Sequence, residues 1–242
     1  MVDQREQYQK EALLKRLDDV RRRIDDARER RGGDAPVELV AVSKTHPVEA
    51  IKVLYDAGIR SFGESYVQEW QDKAQALPDD IDWHFVGRLQ SNKARFVADS
   101  VALIHSVDRK SVAKALNRRS DEKVNVLLQV NLALQDTKGG VAAEKLPQLF
   151  DLVSRYEGLQ VRGLMGMPPY ADDPEDNRIY FRRLRKALSD LQDYVERKYP
   201  ERREILSELS MGMSNDFEVA VEEGATIVRL GTILFGKRVY DD

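Results

Sequence analysis

The stretch "VELVAVSKTHPVEAIKVLYDAG", Val37 to Gly58, decides how the rest of the chain is read. Val37 to Val42 is a short apolar run, the pattern of a strand buried on both faces. The periodicity changes at Pro47, a residue suited to a first helical position, and Gly58 follows the last apolar residue as a helix stop. Between strand and helix lies "SKTHP", Ser43 to Pro47, which contains no glycine. A doubly wound open sheet usually has a glycine-rich first turn, so this one points away from that fold. It also puts Lys44 at the mouth of a buried strand, an address a merely solvated lysine does not need.

The strand-turn-helix unit recurs. Strands are expected at Val37–Val42, Ile59–Phe62, Trp83–Val86, Ala102–His105, Val124–Val130, Leu159–Met165, Ile205–Met211 and Thr226–Leu230. Helical patterns separate them: "SYVQEWQDKAQALP", "SNKARFVADS", "DRKSVAKALNRRS", "AAEKLPQLFDLVSRYEG", a longer one from Asp173 to Tyr199, "SNDFEVAVEEG" and a short one after Gly231. Eight strands, each followed by a helix, predict an α/β protein with one (β/α)8, or TIM, barrel. The whole chain, residues 1–242, is expected to form this single domain. Residues 1–35 precede the barrel. Within them a charge-rich helix, 3–31, carries Leu13, Leu17, Val20 and Ile24 on one face, a stripe expected to pack on the barrel rather than bind a partner. The run "RIYFRRLRK" in the long helix is expected to be a solvated face with snorkelling arginines.

Bulk properties exclude several functions. The chain has 39 basic and 42 acidic residues, a net charge of −3, and no clustered basic excess of the kind nucleic acid requires. It has no cysteine, which removes disulfides, thiolate metal sites and a cysteine nucleophile. "MVDQREQYQKEALLKRL" is too charged for a signal peptide, and no apolar run approaches a membrane span. A soluble, cytoplasmic monomer without nucleic-acid or membrane partners is expected.

Chemistry in such barrels sits at the C-terminal ends of the strands. Lys44 follows the first strand there. The loop after the seventh is "SMGMSND", in which Gly212 permits close backbone approach and Ser214 or Asn215 can cap the next helix towards an anion. The eighth ends in "VRLGTILFG", where Gly231 and Thr232 offer backbone N–H groups and a hydroxyl. A lysine on one side of the mouth and a phosphate cradle on the other suggest a phosphorylated carbonyl compound. Lysine attacks a carbonyl as the neutral amine, so its ordinary pKa of about 10.4 must fall by desolvation or a nearby cation. Sugar phosphates and pyridoxal 5′-phosphate both fit. Arg229 lies two residues before Gly231 and so points inward, where a guanidinium needs an acceptor. That acceptor is either a pyridine nitrogen or a barrel acid such as Glu64 or Glu208. Facing arginine, a pyridine nitrogen stays unprotonated and the ring is a poor electron sink. His46, His84 and His105 show no metal-ligand spacing and read as hydrogen-bonded strand-end residues. Met165, Met167, Met211 and Met213 read as core filling.

The motifs "AVSKTHP", "FGESYVQE", "WHFVGRLQSNK", "HSVD", "VNLALQDTKGG", "GLMGMPP" and "LSMGMSNDFEVAVEEGATIVRLGTILFG" resemble the pyridoxal phosphate homeostasis protein family, from about Val37 to Gly236. The resemblance implies one barrel similar to the N-terminal domain of bacterial alanine racemase. It implies pyridoxal 5′-phosphate held as a Schiff base by Lys44, with Ser210, Ser214, Gly231 and Thr232 around the phosphate and Arg229 facing the pyridine nitrogen. It further implies storage, buffering or delivery of the cofactor, with cofactor-dependent apo-enzymes as recipients, and no catalytic residues. Ser65 departs from the family's usual asparagine, which puts any amide contact to the ring in doubt. Lys138 and Gly140 keep the family's K-x-G spacing, with no chemical role assigned. A racemase is the alternative. Inversion needs an acid/base group on each face of the cofactor, and racemases of this barrel type are known to take one from another domain. The chain ends shortly after the last strand, so no racemisation is expected. A sugar-phosphate aldolase would leave Arg229 unexplained.

Overall fold

Eight parallel strands close on themselves in chain order. They are β1 (Glu38–Val42), β2 (Ser61–Glu64), β3 (Asp82–Phe85), β4 (Leu103–Val107), β5 (Val124–Val130), β6 (Leu159–Gly166), β7 (Glu208–Ser210) and β8 (Ile227–Leu230). These coordinates are a computed structural model, which describes residues 4–117, 123–133, 139–200 and 206–236. The last strand pairs with the first, setting Val40 opposite Arg229 and Ala41 opposite Leu230. The expected (β/α)8 barrel is therefore the observed one.

Side-chain alternation divides the strands into two environments. Val40, Leu103, Leu127, Met165 and Ile227 meet as an aliphatic layer inside the barrel. The outward residues, among them Ala41, Phe62, Ile104, Leu128 and Val228, join the larger core beneath the helices. The helices are α1 (Gln4–Arg31), α2 (Val48–Asp56), α3 (Val67–Ala76), α4 (Lys110–Asn117), α5 (Leu146–Val153), α6 (Arg178–Lys198), α7 (Phe217–Glu222) and α8 (Thr232–Phe235). Among the described residues, no helix is long and apolar enough to cross a membrane.

Local chemistry explains where the elements depart from expectation. The second strand starts two residues later than expected, because the Ile59 N–H bonds back to the Leu54 carbonyl at 3.0 Å and so completes the exit of α2. Gly58, at φ +91°, makes that exit possible. Pro47 sits just outside α2 in an extended conformation rather than in its first turn. The "SNKARFVADS" segment forms only a 3-10 turn, Ala94–Phe96, where a helix was expected. Its serines, asparagine and aspartate compete for the backbone, and its buried face extends no further than Ala94, Val97 and Ala98. The seventh strand shortens to three residues, and Ile205, its expected start, lies outside the described residues.

The apolar stripe of α1 packs on the barrel as expected: Leu13, Leu17, Val20 and Ile24 are all buried. Arg23 and Arg30 of the same helix reach Glu218 and Glu222 of α7, each at 2.6 Å. The arginine run of α6 proves more than a solvated face. Arg178 grips Glu222 and Glu223 at 2.6 and 2.9 Å, and Arg182 and Arg185 also reach Glu223. Charges thus clamp α7 between α1 and α6.

Candidate functional site

The end of β1 is built as a fixed platform. Lys44 is half-buried one residue past Ser43, whose side chain is buried and donates to Glu64 Oε1 at 2.7 Å. Lys73, on α3, is also buried and donates at 2.7 Å to three oxygens: the Ser43 carbonyl, Glu64 Oε1 and Glu69 Oε1. Glu69 in turn accepts the backbone N–H of Thr45. Thr45 has φ +65°, a left-handed conformation that is unusual for a β-branched residue. Such strain costs about 1–3 kcal/mol and persists only where neighbours enforce it. Here the enforcing group is Glu69, anchored by Lys73. Burial raises the pKa of Glu64, while Lys73 and Ser43 oppose that shift.

The loops after β7 and β8 are interlocked. Gly212 has φ +89°, and a Cβ there would lie 2.6 Å from the Ala220 Cβ and 3.0 Å from the Phe217 Cα, so no larger residue fits. Its carbonyl accepts the Arg229 N–H at 3.1 Å. Neither Ser214 nor Asn215 caps α7, contrary to expectation: Asp216 occupies the cap position, and its side chain accepts the Met213 N–H at 2.7 Å. Ser214 turns instead to α8 and accepts the Ile233 N–H at 3.3 Å. The seventh loop thereby meets Gly231 and Thr232, at the start of α8.

The lysine and this cradle do not face each other across the opening, as the sequence suggested. Because β8 closes onto β1, they are neighbours. A Cβ on Gly231 would stand 3.3 Å from the Val42 carbonyl, two residues before Lys44. His46 stacks on Phe235 of α8 with ring centroids 4.7 Å apart, joining the two loops.

Arg229 is buried on the inner side of β8, as its spacing from Gly231 predicted. One terminal nitrogen donates to Ser210 Oγ and the other to the Gly166 carbonyl at 3.2 Å. Neither Glu64 nor Glu208 pairs with it: Glu64 is held by Lys73, and Glu208 accepts from Thr226 at 2.6 Å. The ion-pair reading of Arg229 is thus set aside. Desolvation, only partly offset by the field of Asp216, pulls its pKa down to about 10. Ser210, expected near a phosphate, is fully buried and bonded to both Arg229 and His105. His84 and His105 are buried and hydrogen-bonded, as expected for strand residues. Met165 and Met211 are core as expected, while Met167 and Met213, expected as core filling, are exposed in the loops after β6 and β7. Ser65 is half-buried, with Gly87 pressed against its backbone, and Lys138 lies outside the described residues.

Lys73, Glu69 and the pairing of His84 with His105 are what sequence reading missed. The Glu69–Lys73 spacing of four is visible in the sequence, but it reads as a surface pair until α3 is placed over β2.

Residues 16–239 match the family described as alanine racemase, N-terminal domain. A pyridoxal phosphate homeostasis protein of Aquifex aeolicus is 47% identical over 93% of this chain and 98% of its own length. A solved protein of Bifidobacterium adolescentis, described as unknown, superposes with a TM-score of 0.86 at 31% identity, covering 97% of this chain and 98% of that one. PipY of Synechococcus elongatus, solved with PLP bound, gives a TM-score of 0.77 at 37% identity and covers 93% of this chain and 100% of its own. With both the family match and these relatives spanning nearly its full length, the chain belongs to the pyridoxal phosphate homeostasis protein family, built on the alanine racemase N-terminal-domain barrel.

Proposed function

We propose that this chain holds pyridoxal 5′-phosphate at the C-terminal end of the barrel and serves its storage, buffering or delivery without a reaction of its own. The observation that carries the reading is Arg229. It is a buried guanidinium with no carboxylate partner among the described residues, on the strand next to the one that leads to Lys44. A planar base with one lone pair and an anionic tail suits that donor set. Lys44 would hold the aldehyde carbon as a Schiff base. Ser214, Gly231 and Thr232 would surround the phosphate, and Arg229 would face the pyridine nitrogen. Ser210 would contribute by holding Arg229. When bound, the cofactor supplies an electrophilic carbon and a ring able to take up electron density. Arginine gives up no proton, so a ring nitrogen facing Arg229 would stay unprotonated and that uptake would be weak. The PLP-bound relative supports the ligand, and the names of the curated relatives support the role.

A single domain, a cytoplasmic location and a monomeric state complete the proposal. Transfer to cofactor-dependent apo-enzymes would occur at the rim, where Tyr66, Met167, Tyr170 and Met213 are exposed. Borohydride reduction followed by peptide mass mapping tests the ligand and its anchor. A reduced adduct on Lys44, absent in Lys44→Ala, is the expected result, and an adduct elsewhere or none overturns it. Incubation with each alanine enantiomer tests the rest, since sustained inversion would contradict a non-catalytic protein.

A further inference from the structure

A continuous file of hydrogen bonds runs through the barrel interior. At the N-terminal ends of the strands, a cavity of about 490 Å³ is lined by Glu38, Asp82, Asn125, Arg162 and Glu208. Glu38 Oε1, which also accepts from Ser61, lies 3.2 Å from His84 Nε2. His84 Nδ1 lies 2.9 Å from His105 Nε2. His105 Nδ1 lies 2.9 Å from Ser210 Oγ, which accepts from Arg229. Five side chains on five strands thus connect the cavity at one end with the candidate site at the other.

Heavy-atom positions leave the imidazole protons open, and with both rings neutral the carboxylate end orders them. Arginine only donates, and an ionised carboxylate only accepts. Burial raises the pKa of Glu38, but the His84 contact outweighs it and leaves the acid more readily ionised than usual. Burial, with the field of Arg229 beside it, holds His105 well below the ordinary histidine range, so it is neutral. A neutral His84 keeps its proton on Nε2, facing the carboxylate, so its Nδ1 is a lone pair that must be given an N–H. His105 must then carry its proton on Nε2 and donate to His84 Nδ1. His84 in turn donates from Nε2 to Glu38. Every donor points the same way, from Arg229 to Glu38. The Nδ1 of His105 is then a lone pair that takes the Ser210 hydroxyl proton, whereas the reversed file would need His84 as an imidazolium.

We propose that His84 and His105 are positioning residues: this file of one polarity keeps Ser210 an acceptor and so fixes the orientation of Arg229 at the cofactor site. The link to the cofactor rests on the reading under Proposed function, but the polarity of the file does not. The neighbouring charges at the two ends are Asp82, Arg162 and Glu208 below and Asp216 above.

Two measurements test this, and they fail separately. Long-range ¹⁵N–¹H correlation on the apo-protein near neutral pH reads the tautomers directly. Neutral Nε2–H forms for both His84 and His105 are expected, and an Nδ1–H form or an imidazolium at either overturns the proposal. The second uses His105→Leu and His105→Gln, because glutamine can still accept from Ser210 and donate to His84. Leucine is expected to weaken pyridoxal phosphate binding by about tenfold, the usual effect of leaving a buried donor unpaired. It should also shift the pH at which the absorption of the bound cofactor changes. Glutamine should recover both. Wild-type affinity and pH response in His105→Leu would contradict the proposal. If the wild-type protein takes up no cofactor, the functional reading fails, and the tautomers still decide the polarity of the file.

Discussion

Replacing Lys73 by methionine would leave Glu64 buried beside Ser43 without its cation and release Glu69 from the turn that holds Thr45. Removing one partner of a buried ion pair costs about 3–5 kcal/mol. Urea unfolding of Lys73→Met should show a loss of that order, and Glu64→Gln in the same chain should recover part of it, because the stranded charge is gone. Equal losses from the single and double variants would mean that the stranded Glu64 charge is not the source of the cost. Gly212→Ala is expected to lose about 1–3 kcal/mol by the same measurement, since its Cβ would overlap Ala220 on a left-handed backbone. Lys44 and Arg229 were legible in the sequence because strand parity and the barrel rule need only local information. Lys73 was not. A lysine on an amphipathic helix looks solvated until the helix is set against its own strand.

At the level of elements, α1 is an integral part of the barrel wall rather than an appendage. Its buried Leu17 and Val20 lie against the shell formed by α2, α7 and α8, and Arg16 donates to the Leu234 carbonyl near the end of α8. Leu17→Ala should cost about 2–5 kcal/mol, read as a lowered urea midpoint at unchanged slope. Because α8 also borders the candidate site, this variant should bind pyridoxal phosphate more weakly as well, which titration would show. Strand identities followed from short apolar runs, and helix identities, except between Ser91 and Ser100, from the helical pattern. Their ends did not, because Gly58 and Ile59 are governed by the exit of α2 rather than by apolar content. The adjacency of Lys44 to the phosphate loops was also hidden, since it exists only through closure of β8 onto β1.

For the whole molecule, the buried histidine file makes stability depend on pH. The folded-state pKa of His105 lies well below its unfolded value of about 6.5. Above about pH 6.5 both states are neutral there, and the contribution is complete. Below it the unfolded chain takes up the proton first, and stability falls by about 1.4 kcal/mol per pH unit for this one site until the folded pKa is reached. Glu64, whose pKa is raised, works in the opposite direction at lower pH. Denaturation at pH 7.5, 6.5 and 5.5 should show the decline, and His105→Gln should flatten it. No periodicity could have announced this file, because its members come from five separate strands and meet only inside the closed barrel.

The crossing from β3 to β4 is covered by a single 3-10 turn where its neighbours have helices. A wall of uniform thickness would open, if at all, only as a unit. This one has a thin stave, so amide deuteration and protease nicking should begin between Ser91 and Val101 while the rest of the ring still resists both.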